Sequence, residues 1–136
     1  MTQCEIGKIG WLEPNILLVD IDEGTEIGVE HMYEFNDMAS KLAKNEQRFN
    51  IINYGAYSLR TKEARELCAS QKMSELVLAR ALVVHDLGQF ILAKHTLKRQ
   101  KSSIPTRIFT DLEGAKKWVK LLKPDQFENQ IVVEKT

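Results

Sequence analysis

Apolar and polar positions follow two different rhythms along this chain, and the changes of rhythm mark its elements. Between Ala79 and Leu122 one pattern occurs twice. Ala81-Leu82-Val83-Val84 is a short apolar run that ends at His85-Asp86 and gives way to an apolar-periodic segment reaching Leu97. Ile108-Phe109 closes a second extended run at Thr110-Asp111, and another periodic segment follows through Leu122. An apolar run, a polar turn and a helical periodicity read as strand, turn and helix. Their repetition reads as a parallel sheet with crossover helices. Asp86-x-x-Gln89 and Thr110-x-x-Glu113 have capping-box spacing and mark the two helix starts. Leu87, Phe90, Ile91 and Leu97 are expected to face the core from one helix. Leu112, Ala115, Trp118, Val119 and Leu122 are expected to do so from the other.

Upstream, Glu5 to Leu12 and Ile16 to Ile21 read as two strands joined at Glu13-Pro14-Asn15, a hairpin turn. After the turn Asp22-Glu23-Gly24-Thr25, a helix is expected from Gly28 to Lys44, because Val29, Met32, Phe35, Ala39 and Leu42 form one stripe. Phe49 to Tyr54 is a third strand, ended by Gly55. Thr61 then has the character of an N-cap, with Ala64, Leu67 and Cys68 facing inward. A further short helical segment is expected from Gln71 to Leu78, and Pro124 should end the last helix. The order is ββαβαβαβα, an α/β fold with a mixed, mostly parallel sheet. One domain is expected over residues 1–123, followed by a tail over 124–136 whose Gln130-Ile131-Val132-Val133 can add an edge strand.

Composition narrows the class. The chain has 136 residues, 43% of them apolar and 28% charged, which fits a single soluble domain. No apolar run is long enough for an integral membrane segment, and MTQCEIGKIGW lacks the features of a signal peptide, so a cytoplasmic location is expected. Cys4 and Cys68 are too far apart for a metal or redox spacing, and Cys68, beside Leu67, reads as a small buried hydrophobe. Net charge is zero, yet residues 1–50 carry four basic and ten acidic side chains, and residues 94–123 carry nine basic and two acidic. That split fits helix faces of opposite sign, or a complementary surface for self-association or an acidic partner. Aromatics are not interleaved among the lysines, so no nucleic-acid partner is expected. The densest basic run, Lys94 to Lys101, reads as a helix C-terminus, where cations complement the dipole.

The run ending in Pro105, Phe109, Thr110, Asp111, Ala115 and Trp118 resembles the "P-x-x-F-T/S-D" strand end and "A-x-x-W-L" helix of the SpoIIAA-like, STAS-related bacterial proteins, with Val119 in place of leucine. Ser58-Leu59-Arg60-Thr61-Lys62-Glu63-Ala64-Arg65 is similar to that group's "s-k-e-A-R" helix opening. The resemblance spans residues 5–122 and implies a single STAS-like (SpoIIAA-like) domain. It further implies a bacterial interaction module that binds a kinase-like anti-sigma partner and is switched by phosphorylation after the third strand. The family pattern at the switch is "D-S-S-G". This chain has Ser58-Leu59-Arg60-Thr61, which makes Thr61 the nearest phosphoacceptor candidate and first of all a helix cap. Related lipid-carrier folds of the same topology imply an alternative, a small apolar ligand held near Phe90, Ile91 and the first helix.

Catalytic patterns are missing from the sequence. His31, His85 and His95 have no HxH or HExxH spacing, His31 reads as solvated, and there is no GxGxxG, Walker or G-x-S-x-G pattern. No enzyme activity, metal or cofactor is therefore expected. In open α/β sheets, ligands gather beyond the carboxyl ends of the strands. By that rule Asn53, Tyr54, Tyr57, Arg60, His85, Asp86, Thr110 and Asp111 mark the functional end. Tyr57, Ser58, Arg60, Thr61, His85 and Asp86 are the candidate interaction or ligand face. The reading is a non-catalytic regulatory module with an unknown protein partner, expected to be a homodimer.

Overall fold

The computed structural model describes residues 1–68, 70, 73, 75–99 and 104–122. The strands are β1 (Thr2–Cys4), β2 (Gly7–Glu13), β3 (Ile16–Ile21), β4 (Glu26–Ile27), β5 (Arg48–Tyr54), β6 (Leu59–Arg60), β7 (Val77–Val83) and β8 (Thr106–Phe109). The helices are α1 (Val29–Ala43), α2 (Lys62–Cys68), α3 (Leu87–Arg99) and α4 (Leu112–Leu121). Among the described residues, six strands form one sheet in the order β1-β2-β3-β5-β7-β8, and β4 and β6 pair separately. β1, β2 and β3 are antiparallel neighbours, whereas β3, β5, β7 and β8 run parallel. At the β2–β3 turn Pro14 fixes one corner, and Asn15 takes a left-handed φ of 69°, which asparagine tolerates.

Each parallel crossover moves one strand over in the same direction. Right-handed connections therefore place α1, α2 and α3 on one face of the sheet. Alternation along the strands supplies both faces with apolar side chains. Ile9, Leu17, Val19, Ile21 and Leu82 pack with Phe35 and Ala39 of α1 and Ala93 of α3. Their neighbours in the strands, Ile16, Leu18, Phe49, Ile51, Ala81 and Val83, point the other way, against Ala115 and Val119 of α4. β7 lies between the two layers, and all seven of its residues are buried. The Phe109 and Trp118 rings, with centroids 5.7 Å apart, tie β8 to α4.

Several expectations are corrected. β1 and the short β4–β6 pair were not legible as strands. Their two or three residues are too few for periodicity to register. Val77 and Leu78 belong to β7 and not to a helix; Gln71, Lys72 and Ser74 of that expected segment lie outside the described residues. Pro124 and the Gln130–Val133 run also lie outside them. The cap of α4 is Asp111, whose Oδ1 accepts from Gly114 N at 2.6 Å, one residue beyond the expected Thr110. Leu87 and Ile91 of α3 face solvent, because Gln89 and Ala93 occupy its inner side.

Candidate functional site

At the carboxyl ends of β5 and β7, two loops are tied together by side chains that the strands deliver to the same place. Asp86 caps α3: its Oδ1 accepts from Gln89 N at 2.9 Å, and its Oδ2 accepts from Tyr57 N, also at 2.9 Å. These backbone donors, with Gly88 among them, hold the Asp86 carboxyl below the usual aspartate range. Gln89 is buried and bridges the same loops from beneath. Its Nε2 donates to Gly55 O at 2.8 Å and Ser58 O at 2.9 Å, while its Oε1 accepts from His85 N at 2.8 Å. Its spacing marks it as a cap, but not as a cross-link between loops.

Register sets a polar row on the opposite face. Asp20 of β3 lies beside Asn53 of β5, which lies beside Val83 of β7, and His85 follows two residues later. Asn53 Nδ2 donates to Asp20 Oδ1 at 3.0 Å, which leaves Asn53 Oδ1 to accept from His85 Nε2 at 2.6 Å. The exposed imidazole is thereby fixed in orientation.

The structure brings together only part of the candidate face. Tyr57 is 76% exposed and, with His85 and Asp86, lies at the loop surface. Ser58 and Arg60 are buried, the Arg60 guanidinium stacking 5.4 Å from the centre of the Tyr54 ring. Thr61 is half-buried and caps α2, its Oγ1 accepting from Ala64 N at 3.1 Å. Asp86, Leu87, Phe90 and Thr110 border an open groove with His85. His31 is not solvated. Its Nδ1 accepts from Gly28 N at 2.9 Å, and its Nε2 donates to Glu5, clipping the start of α1 to the β1–β2 turn.

A second site was missed in the sequence. Between α1, α2 and the sheet lies a cavity that is partly open to solvent. It borders α1 as the apolar-ligand expectation requires, but Phe90 and Ile91 do not line it. Val19, Ile21, Ile52, Met32, Phe35 and Ala39 form apolar walls, and Asn50, Tyr54 and Arg80 form a polar side. Arg80 Nη1 and Nη2 donate to the carbonyls of Cys68 and Met73 at 3.2 and 3.3 Å. Burial pushes the Cys68 thiol up, but the nearby Arg80 and Arg60 guanidiniums outweigh it and leave the thiol below its usual value. Burial also raises the Tyr54 hydroxyl. The signal for this site in the sequence is a single arginine inside an otherwise apolar strand, Val77–Val83.

A family model described as "Domain of unknown function (DUF7793)" matches residues 10–123. Among solved structures, the chain is similar to the crystal structure of an uncharacterized protein of the DUF3478 family with a SpoIIAA-like fold, from Shewanella loihica PV-4. The TM-score is 0.57 at 12% identity, covering 87% of this chain and 98% of that one. The fold is SpoIIAA-like, as the sequence resemblance implied. No curated protein matches by sequence. No helix among the described residues is long and apolar enough to cross a membrane.

Proposed function

The chain belongs to the DUF7793 domain family, and we propose that it acts as a non-catalytic interaction module that docks a protein partner at the carboxyl ends of β5 and β7. The observation that carries this reading is a set of exposed apolar side chains around fixed loops. Tyr57, Leu59, Leu87 and Ile91 are 76%, 49%, 73% and 57% exposed. Leu87 and Ile91 stand one turn apart on α3, and the Asp86 bond to Tyr57 N holds the Tyr57 loop against that helix start. Protein interfaces combine such apolar and aromatic anchors with a polar rim, and His85 and Thr110 border the adjoining groove. Because Asp86 and Gln89 already hold the loops, little ordering cost opposes docking. In this reading the module works in the bacterial cytoplasm, either as a homodimer through this face or bound to a different protein. Thr61 lies one short strand away, and a phosphoryl group there would replace its cap bond with an anion at the α2 start.

The test is a photo-crosslinking residue placed at Ile91, with a second at the exposed Lys117 on α4 as a control, in expressing cells. A discrete adduct from position 91 that is absent from 117 and lost in Leu87→Asp supports the reading. Adduct mass then separates a second copy from another protein. No adduct at 91, or the same adducts from both positions, removes it.

A further inference from the structure

The cavity beneath α1 has a chemistry that the docking face does not use. Six polar or charged side chains are buried among the described residues: Arg48, Asn50, Ser58, Arg60, Arg80 and Gln89. Three are arginines, none is an acid, and among the described residues no carboxylate pairs with any of the three. A buried cation without a counter-ion is costly, and an unpartnered buried donor or acceptor adds to the cost. Asn50 and Arg80 are register partners on β5 and β7, so both project to the same side of the sheet, into the cavity. Both are more than nine-tenths buried, and each has an unsatisfied atom, Asn50 Oδ1 and Arg80 Nε. The Cys68 carbonyl and thiol sulfur hold Nη1 and the Met73 carbonyl holds Nη2, so Nε is the guanidinium nitrogen without a partner.

We propose that this cavity binds a small amphipathic acid, an apolar chain ending in one carboxyl group. The chain lies along Val19, Ile21 and Ile52 of the sheet and under Met32, Phe35 and Ala39 of α1. The carboxyl oxygen accepts from Arg80 Nε, the donor that the protein leaves unpaired. The ligand supplies the missing negative charge and is released only when the arginine is left unpaired again. Specificity then rests on the head group, since the walls alone grip any alkyl chain of the same length.

The probes are octanoate and octanol, below their aggregation range, measured by calorimetry and thermal unfolding on the intact chain. Octanoate is expected to bind and, at tenfold above its Kd, to raise Tm by roughly 5 °C. Octanol is expected to bind roughly ten- to a hundredfold more weakly. Arg80→Met should reduce octanoate affinity to that of octanol. Ala39→Leu fills the cavity without touching the arginine, and it should fold and lose both ligands. No octanoate binding by the wild-type chain overturns the proposal. So does equal affinity for acid and alcohol, or full octanoate binding by a folded Ala39→Leu variant. Crosslinking at Ile91 does not involve the cavity, so either reading stands or falls alone.

Discussion

The two faces of the sheet solve the same burial problem differently. One helix, α4, covers one face, and there Ile51, Ala81, Val83, Ala115 and Val119 are completely inaccessible to solvent. Three helices cover the other face, yet it retains a cavity, an unsatisfied arginine and an unsatisfied asparagine. The α4 contact uses small residues, Ala79, Ala81 and Ala115, which let helix and sheet approach closely. The α1 and α2 contact puts polar side chains from β5 and β7 at the middle of the layer, where close packing would strand them. More cover has not meant tighter packing. The face with one helix is built for stability, and the face with three has room for a function.

The largest expected effect tests the tight face. Ile51→Ala removes a fully buried side chain beneath α4 and should cost about 2–5 kcal/mol in urea unfolding. A matched pair comes next. Ala115→Leu overpacks the α4 contact and should lose about 1–3 kcal/mol. The same exchange at Ala39, beside the cavity, should gain about 0.5–2 kcal/mol. Equal signs for the two variants would erase the contrast between the faces. A smaller effect is expected at the α2 cap, where Thr61→Ala loses the bond from Ala64 N and about 1 kcal/mol, read by the same unfolding measurement. The smallest is seen by pH. The Asp86 carboxyl is depressed in the folded state, so its contribution is complete above the unfolded aspartate value and is lost as pH falls through the lower folded value. Asp86→Asn should flatten that part of the acid limb of a Tm-versus-pH curve and leave neutral pH less affected.

The sequence made the architecture legible because each long element carries its own periodicity. β3, β5 and β7 read as apolar runs, and α1 and α4 as amphipathic stripes. What escaped was either too short or too dependent on the third dimension. β4 and β6 are two residues each, and their pairing exists only once β3 and β5 have brought them together. For α3, apolar spacing suggested that Leu87 and Ile91 turn inward, but the inner side went to Gln89, whose carboxamide reaches the Gly55–Ser58 loop. The site residues divide in the same way. Tyr57, His85 and Asp86 lie at the surface, as the carboxyl-end rule suggests, while Ser58 and Arg60, close to them in sequence, turn under the loop. Arg80 was visible as a charge in an apolar run, yet its two carbonyl partners and its free Nε depend on where α2 ends. Asn50 gave no signal, since alternate residues of β5 point to different layers.

The strictly sequential strand order has a consequence for synthesis. Every strand of the main sheet is added beside the one made before it, so the sheet can grow in one direction as the chain leaves the ribosome. The first layer, under α1, α2 and α3, can close progressively behind that growing edge. The second layer cannot, because Ile16, Leu18, Ile51 and Ala81 have no cover until residues 112–121 emerge as α4. A nascent chain stopped before Leu112 therefore carries a bare, sticky apolar surface on an otherwise assembled sheet. The last helix acts as a clasp, and its arrival turns an aggregation-prone intermediate into a finished domain.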